Sequence, residues 1–419
     1  MTHEDDAAAE AAAPTDDSEP KNPPDTVEVT SGPWRPVLIA TVYGALAGAV
    51  TAVALALMHG LQHLVWSVSD ARWYVVAAIL VGGILLAALR SHSEDADLDA
   101  QIAAAADPVS LHRRKTALLG VSAIIAVGFG GAIGPEAGLL AIVAELSAIV
   151  SIRIARSHAE ARAVGQAGTA AVLAGLYSSP PGAGAYDDDS LGPPKLLVLL
   201  AAITGFVGFV VTHGLVSDHR MDLGIADYPG RAPFDLAHAV VPAVAGAAVA
   251  ALFVVVSGPI SRLFHRPRNV AVQTLLGTIV FAALAAAWPL VRFSGQSDID
   301  EVVRLVQDGA WLVLVVCAVL KVLATAINLA SGWRGGAIFP LIFAGAAAGA
   351  ATLGVLPGLH PTVALVAGLG AAATVGLRKP LAVLLICAFI LGGDAMGPLL
   401  VGVGVGMIAG RALPEGQAH

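Results

Sequence analysis

The sequence predicts an all-α protein that crosses a lipid bilayer several times. Three observations predict this fold class. The 419-residue chain is 57% hydrophobic and only 13% charged, whereas an ordinary soluble domain has roughly 25% charged residues. Its apolar residues form long runs that contain no Asp, Glu, Lys or Arg. Glycine is abundant, with 46 residues, and small residues allow membrane helices to pack closely.

The uncharged runs are long enough for transmembrane helices, since a helix needs about 20 apolar residues to cross a bilayer. The runs cover residues 37–58, 73–89, 116–135, 196–212, 239–261, 269–291 and 335–377. The last run exceeds one span and is predicted to fold back at least once. A soluble all-α core would show shorter apolar stretches with an amphipathic period.

The first 33 residues differ from the rest of the chain. They contain nine acidic residues, one lysine and several prolines, and this surplus accounts for the net charge of −8. Such a segment is too polar to bury a core and lacks the features of a signal peptide. Residues 1–33 are therefore predicted to be a disordered acidic tail that stays in the cytoplasm. Residues 413–419 are predicted to be a short C-terminal tail.

The apolar part of the chain repeats itself. Residues 130–135 read GGAIGP and residues 335–340 read GGAIFP, while AGTAAVLAGLYSSP at 167–180 is matched by AGLGAAATVGLRKP at 367–380. The two motifs occur in the same order at nearly the same offset. This pattern predicts two membrane repeats, residues 34–215 and 216–412. Duplicated halves of membrane transporters are often inverted and bind their ion at the interface between the halves.

Each glycine-rich motif is predicted to begin a helix inside the membrane. Glycine lets the backbone turn closely, and proline suits the first helical position. A helix start carries unpaired N–H groups and about half a positive charge, so it attracts anions without a basic side chain. Because these helices begin inside the membrane, the predicted fold contains broken or re-entrant helices. The irregular backbone before them must be buried in protein or line a wet cavity. The alternative is a pair of kinks that serve packing only.

Glu136 directly follows the first motif and is the main functional candidate. A carboxylate inside a membrane is costly and marks function by default. While ionised, it can compete with an anion for the amides of the helix start; once protonated it loses its charge and can leave, which makes a gate and a proton carrier. The alternative is a helix-capping role. Glu145 is about half a turn out of phase and is predicted to have a structural partner, and Lys321 is predicted to satisfy a buried carboxylate or carbonyl groups.

The sequence contains no pattern for a cofactor, a metal site, a catalytic site or nucleic-acid binding. Cys317 and Cys387 both lie in apolar runs and are predicted to be small core residues. His59 and His63 lie on one helix face without a third ligand and are interpreted as an interfacial pair. A membrane-embedded enzyme is therefore a weaker alternative than an ion carrier.

These motifs resemble those of the CLC family of chloride channels and transporters. GGAIGPEAGLL resembles the family motif G-[RK]-E-G-P, SGWRGGAIFPLIFAG resembles G-G-I-F-x-P, and VGLRKPLAVLL resembles the R-x-P-L segment. The resemblance covers about residues 36–412 and is closest to a short bacterial branch of ion-transport proteins. It implies a homodimer in the inner (plasma) membrane, with two inverted halves and one anion pathway per subunit. It assigns the gate to Glu136 and the anion site to backbone amides of Ala137, Gly138, Gly335, Gly336, Ala337 and Ile338.

The sequence also departs from the family pattern. The family's G-S-G-I-P motif has no clear match, since Ser93 is a poor candidate, and the pore tyrosine is missing because the last tyrosine is Tyr228. The internal proton glutamate falls near Asp187–Asp189, of which Asp189 aligns best as a proton relay. Chloride is the expected ion, and fluoride, nitrate or another small anion stays open as the substrate of a related secondary transporter. Proton exchange and passive conduction also both stay open.

Overall fold

The structure is a computed structural model of the 419-residue chain. It describes residues 34–90, 113–189, 191, 195–216, 228, 233–391, 393 and 395–413. The predicted acidic tail at 1–33, the candidate Ser93 and residues 414–419 lie outside these described residues. Within them the regular secondary structure is helical, apart from one isolated backbone bridge between Gly134 and Gly336.

The first half of the chain forms eight α-helices among the described residues, and a π-helical turn, Ile39–Tyr43, joins the first two. In chain order these helices, α1 to α8, are Trp34–Leu38, Gly44–Trp66, Arg72–Arg90, Arg113–Gly128, Glu136–Ile154, His158–Leu176, Pro180–Ala185 and Leu196–Val216. The second half forms nine. These helices, α9 to α17, are Pro233–His238, Val240–Phe264, Val270–Ala287, Ile299–Gln307, Trp311–Ala330, Ile338–Ala351, Pro361–Leu377, Pro380–Ile390 and Met396–Ala412.

Seven helical segments in the described part of the chain are long and apolar enough to cross a membrane. They are Trp34–Trp66, Arg72–Arg90, Glu136–Ile154, Leu196–Val216, Asp235–Phe264, Val270–Ala287 and Trp311–Ala330. The uncharged run at 335–377 folds back as predicted, because it forms the two shorter helices α14 and α15. The prediction of an all-α polytopic membrane protein is therefore confirmed.

The ends of several helices follow from local sequence. Ser157 precedes α6, and its side chain accepts a hydrogen bond from the backbone N–H of Glu160 at 3.2 Å. The Asn269 side chain accepts one from the N–H of Ala271 at 2.9 Å before α11. Both are N-cap residues that satisfy otherwise unpaired donors of a first turn. At the other end of a helix, Arg378 stops α15 in a left-handed conformation, with φ of 55°.

The helices pair in the same pattern in both halves. In the first half α2 packs on α6 and α8, α4 packs on α5, and α6 packs on α8. In the second half α10 packs on α15 and α17, α13 packs on α14, and α15 packs on α17. Two equivalent pairs, α3 with α11 and α7 with α16, join the halves. This repeated pattern supports the predicted duplication, while the repeat boundaries stay a prediction.

Glycines allow the equivalent helix pairs to approach closely. A Cβ atom on Gly48 of α2 would lie 1.8 Å from the carbonyl oxygen of Gly205 of α8. A Cβ atom on Gly246 of α10 would lie 2.1 Å from the carbonyl oxygen of Gly368 of α15. Backbone therefore packs directly on backbone at both contacts, the small-residue packing expected between membrane helices.

We expect Gly48→Ala to lower the unfolding free energy by about 1–3 kcal/mol, because the added methyl group overlaps the backbone of Gly205. Gly60→Ala on the same helix is the matched control, since a Cβ atom there meets no atom within 4 Å. That control should be neutral or stabilising, because alanine favours a helix over glycine. Thermal unfolding of both variants in detergent measures the difference. Equal melting temperatures would contradict the proposed close contact.

Candidate functional site

The two glycine-rich motifs meet in the structure. Gly134 of the first motif donates its backbone N–H to the carbonyl oxygen of Gly336 at 2.8 Å, and Gly336 donates back to the carbonyl oxygen of Gly134 at 3.1 Å. This antiparallel bridge joins positions 202 residues apart in the numbering, one in each half. It fixes the beginnings of α5 and α14 beside each other, as the sequence predicted.

Both helices begin directly after the bridge. The first α-helical hydrogen bonds are donated by Leu139 to Pro135 at 3.1 Å and by Leu341 to Ala337 at 3.0 Å. The N–H groups before them lack an acceptor within the helix and give each helix start a partial positive charge. The prolines differ slightly from the prediction of first helical positions: Pro135 precedes α5, and Pro340 is the third residue of α14. Both positions tolerate proline because no helical hydrogen bond is lost there.

The carboxylate of Glu136 lies between the two motifs. Its side chain is fully buried, with 0% exposure. A Cβ atom on Gly134 would lie 1.9 Å from Glu136 Oε2, and one on Gly336 would lie 2.4 Å from it. The carboxylate therefore occupies space that only glycine leaves open at both positions. The predicted gate residue consequently lies where both helix starts converge.

Neither carboxylate oxygen of Glu136 has a hydrogen-bond partner among the described residues. The backbone N–H groups of Glu136 itself, Gly336 and Phe339 lie nearby. The space that the carboxylate occupies between Gly134 and Gly336 is the Glu136 seat. A buried carboxylate without a full set of donors is costly, so the carboxylate is held less firmly there than a fully hydrogen-bonded one would be. An anion could use the N–H groups of Glu136 and Phe339, which the bridge does not occupy, since helix starts bind anions through their amides.

The other residues of the predicted anion site are distributed around the same junction. Ala137, Gly138, Gly336, Ala337 and Ile338 are buried, and Gly335 is half-buried. Gly138 packs against α4, since a Cβ atom there would lie 2.7 Å from the Cβ atom of Ala123. Phe339 was not among the predicted site residues, although its N–H lies beside the carboxylate. The register of the first turn of α14 could have indicated it, because unpaired N–H groups extend through that turn.

Asp189 lies on the turn after α7. Its Oδ1 accepts a hydrogen bond from the N–H of Ala382 at 2.8 Å, in the first turn of α16. Asp189 therefore caps a helix of the other half. Its neighbour Asp188 forms an ion pair with Lys195. Glu145 is half-buried further along α5, and the roles predicted for Asp189 and Glu145 in proton transfer and structure stay predictions.

Lys321 has the structural role predicted from sequence. Its ammonium group is fully buried and donates to the carbonyl oxygens of Leu290 at 3.1 Å and Arg292 at 2.8 Å. It also lies 4.8 Å from the ring centre of Phe343 in α14. Lys321 therefore ties the segment 289–293 to the helix that carries the second motif. Burial raises the pKa of the nearby Asp298, and the positive charges of Lys321 and Arg292 partly offset this rise.

Two tyrosines pack behind the second motif. The ring of Tyr177, which is fully buried, lies 5.6 Å from the ring of Phe339 and 6.1 Å from that of Tyr186, on which it stacks. Lys379 lies 4.6 Å from the centre of the Tyr186 ring on the far side. The pore tyrosine of the family has no counterpart after Tyr228. No sequence pattern indicated that Tyr177, from the first half, contacts the start of α14.

A cavity of about 770 Å³ reaches the junction from one side. Pro135 and Phe339, which adjoin the Glu136 seat, form part of the wall of this cavity. His59 and His63, interpreted above as an interfacial pair, both line it together with Arg292. Among the described residues no group of three His, Cys, Asp or Glu side chains could hold a metal ion. The cavity therefore offers donors and one guanidinium rather than a ligand set for a metal.

The chain is similar to several known proteins. The family model described as "Voltage gated chloride channel" matches residues 98–411. The "Putative ion-transport protein YfeO" of Escherichia coli O17:K52:H18 is 23% identical over 336 residues, which cover 74% of this chain and 77% of that protein. Its counterpart from Salmonella paratyphi A is 24% identical over 333 residues, covering 74% of this chain and 79% of that protein.

Two solved structures share the fold. A slow cyanobacterial Cl⁻/H⁺ antiporter superposes with a TM-score of 0.73 at 17% identity and covers 91% of this chain and 95% of its own. A CLC-type fluoride/proton antiporter superposes with a TM-score of 0.73 at 18% identity and covers 90% of this chain and 95% of its own. At these identities the likeness concerns the fold.

We expect Gly336→Ala to expel the Glu136 carboxylate from its seat, because the new Cβ atom would lie 2.4 Å from Oε2. Ion flux in liposomes should then lose its dependence on pH. The nearest three atoms to that Cβ all belong to Glu136, so Gly336→Ala should change little in a Glu136→Ala background.

Gly404→Ala is the matched control, because a Cβ atom there meets nothing within 4 Å. Additive effects of Gly336→Ala and Glu136→Ala on flux would contradict the shared seat, since residues in contact are expected to couple.

Proposed function

The chain belongs to the voltage-gated chloride channel family, and on this premise we propose that it carries a small inorganic anion along a pathway gated by Glu136. The observation that carries the proposal is the buried, unpartnered carboxylate between two converging helix starts. Membrane anion transport is the family's function. The assignment of the gate to Glu136 rests on the geometry of this chain.

The proposed gate works by competition. While Glu136 is ionised, its carboxylate fills the pocket that the amides around Gly336 and Phe339 make attractive to negative charge. Protonation removes the charge, so the attraction to both helix starts falls and the side chain leaves. An anion then takes its place, held by the same N–H groups and by the partial positive charges of α5 and α14. The backbone amides Ala137, Gly138, Gly335, Ala337 and Ile338 are proposed to complete the site.

Chloride is the proposed ion. Backbone amides without strong charges suit a weakly hydrated anion, whereas a strongly hydrated one would require more polar donors. Fluoride is the second candidate, and the fold likeness to a fluoride/proton antiporter motivates a direct comparison of the two ions.

Proton coupling is proposed to use Glu136 on one side. Asp189 is the proposed relay on the other side, because it aligns best with the family's internal proton glutamate. Its hydrogen bond to Ala382 favours a helix-capping role instead, so a proton-free uniport is the competing proposal. Proton uptake measured during a chloride gradient separates the two.

The assembly and topology are proposed by analogy with the family. We propose a homodimer with one pathway per subunit, located in the inner (plasma) membrane. The two repeats, 34–215 and 216–412, are proposed to be inverted, with the N-terminal tail in the cytoplasm. The multi-pass character itself follows from the apolar helices and from the family.

Purified protein in liposomes should release loaded chloride when a counter-ion shunt is added. The native flux should change between about pH 4 and pH 8, the range in which a perturbed carboxyl group can titrate. Glu136→Gln should make the flux insensitive to pH, because the amide is neutral at every pH and cannot compete as an anion. A variant flux that follows the native pH profile would rule out the gate assignment.

An anion panel tests the ion choice. We expect chloride efflux to exceed fluoride efflux, since the site relies on backbone amides. Efflux of chloride, fluoride and nitrate from identically loaded vesicles measures the order, with protein-free vesicles as the control. Faster fluoride than chloride release would reverse the assignment and favour the alternative substrate.

A further inference from the structure

The cavity beside the gate seat contains a charge that the proposed gating mechanism does not use. Among the described residues that line it, Arg292 is the single Arg or Lys, and Asp70 is the single Asp or Glu. Arg292 is half-buried, whereas Asp70 is exposed. Water screens an exposed charge more strongly than a partly buried one, so we expect the guanidinium to outweigh the Asp70 carboxylate within the cavity.

We propose that Arg292 makes this cavity a second anion-binding site, which concentrates small inorganic anions in front of the Glu136 seat. The proposal rests on the proposed function and adds a site outside the helix-start amides. It assigns to this chain a specific residue that sets the apparent affinity of transport.

The guanidinium of Arg292 has donors available for an anion. Its Nε donates to the carbonyl oxygen of Pro289 at 3.2 Å, and the guanidinium makes no other hydrogen bond to the part of the chain that the structure describes. An arginine carries five N–H donors, so the terminal N–H groups can turn toward a bound anion. Burial lowers the pKa of Arg292, and Asp70 and Asp298 partly restore it, but an arginine stays protonated in proteins.

The position of the Arg292 side chain is fixed by the walls of the cavity. The guanidinium lies 4.7 Å from the centre of the Trp66 ring, a cation–π contact. Trp66 is itself held by a hydrogen bond from its Nε1 to the carbonyl oxygen of Gly128 at 3.1 Å. A stacked guanidinium presents its edge, where the donors are, rather than its face.

The backbone around Arg292 connects it to the first motif and to the helix that carries the second motif. The N–H of Phe293 donates to the carbonyl oxygen of Gly130, in the first motif, at 3.1 Å. The buried Lys321 holds the carbonyl oxygen of Arg292 and contacts the ring of Phe343 in α14. Because Pro135 and Phe339 also line it, the cavity that contains Arg292 extends to residues next to the Glu136 seat.

The alternative is that Arg292 only balances Asp70. The two roles predict opposite results for Asp70→Asn. If Arg292 recruits anions, removing the carboxylate leaves the positive charge uncompensated and strengthens recruitment. If the pair is structural, its loss destabilises the protein and does not improve the affinity.

The test is the chloride dependence of flux in liposomes that contain the full chain. Arg292→Gln should raise the apparent KM about fivefold, the effect of one unit charge a few ångströms away in a water-like medium, and leave the maximal rate within about twofold. Arg292→Lys should retain most of the native affinity, and Asp70→Asn should lower the apparent KM. Arg304→Gln is the matched control, because Arg304 is exposed on α12 and pairs with Glu301.

An unchanged KM in Arg292→Gln, or a KM that Asp70→Asn raises, would overturn the proposal even where transport itself is intact. A crystal grown in bromide provides a readout that does not depend on flux. An anomalous peak beside the Arg292 guanidinium, absent from Arg292→Gln, is the expected result. If the native protein shows no such peak, the second anion-binding site at Arg292 is overturned. A peak in a protein that shows no anion flux would support this site and contradict the transport proposal.

Discussion

Two backbone hydrogen bonds between Gly134 and Gly336 hold the beginnings of α5 and α14 against each other. Two helix starts repel, because each carries about half a positive charge. A negative group between them removes this conflict, and the Glu136 carboxylate occupies that place. The bridge therefore creates a pocket that favours negative charge, which the Glu136 carboxylate supplies.

Glu136 differs from the other buried charged groups in how it is satisfied. Arg90 donates to Thr274 and to the carbonyl oxygen of Ser331, and Lys321 donates to two carbonyl oxygens. Glu160 accepts from Arg35 at 3.0 Å. These groups are fixed by their partners, as buried charges usually are. Glu136 has no such partner among the described residues, and this difference supports the proposal that its carboxylate can leave.

The wall of the neighbouring cavity is bonded to the same backbone segments that surround Glu136. The segment that carries Arg292 is bonded to Gly130 on one side and to Lys321 on the other. Gly295, two residues after this segment, packs on the ring of Phe343. A Cβ atom on Gly295 would lie 2.7 Å from that ring. The cavity wall that carries Arg292 is thus in direct contact with the first motif and with α14.

The sequence by itself determined the membrane class, the all-α fold, the two glycine-rich helix starts and the gate candidate Glu136. Each is a local property: the length of an uncharged run, the proximity of glycine and proline, or a single acid within an apolar stretch. It also predicted that Lys321 would satisfy a buried carboxylate or carbonyl groups, but it did not identify the carbonyl oxygens of Leu290 and Arg292, 31 and 29 residues earlier.

Only the tertiary structure decided which groups meet at the junction. It brought the N–H of Phe339 to Glu136, packed Tyr177 of the first half on the second motif, and used Asp189 to cap α16. It also placed Arg292 in the wall of the cavity. These contacts join positions far apart in the chain, and the physical reason for each is the packing of one helix on another. A local sequence pattern indicates which kind of partner a residue requires, whereas helix packing decides which distant residue is that partner.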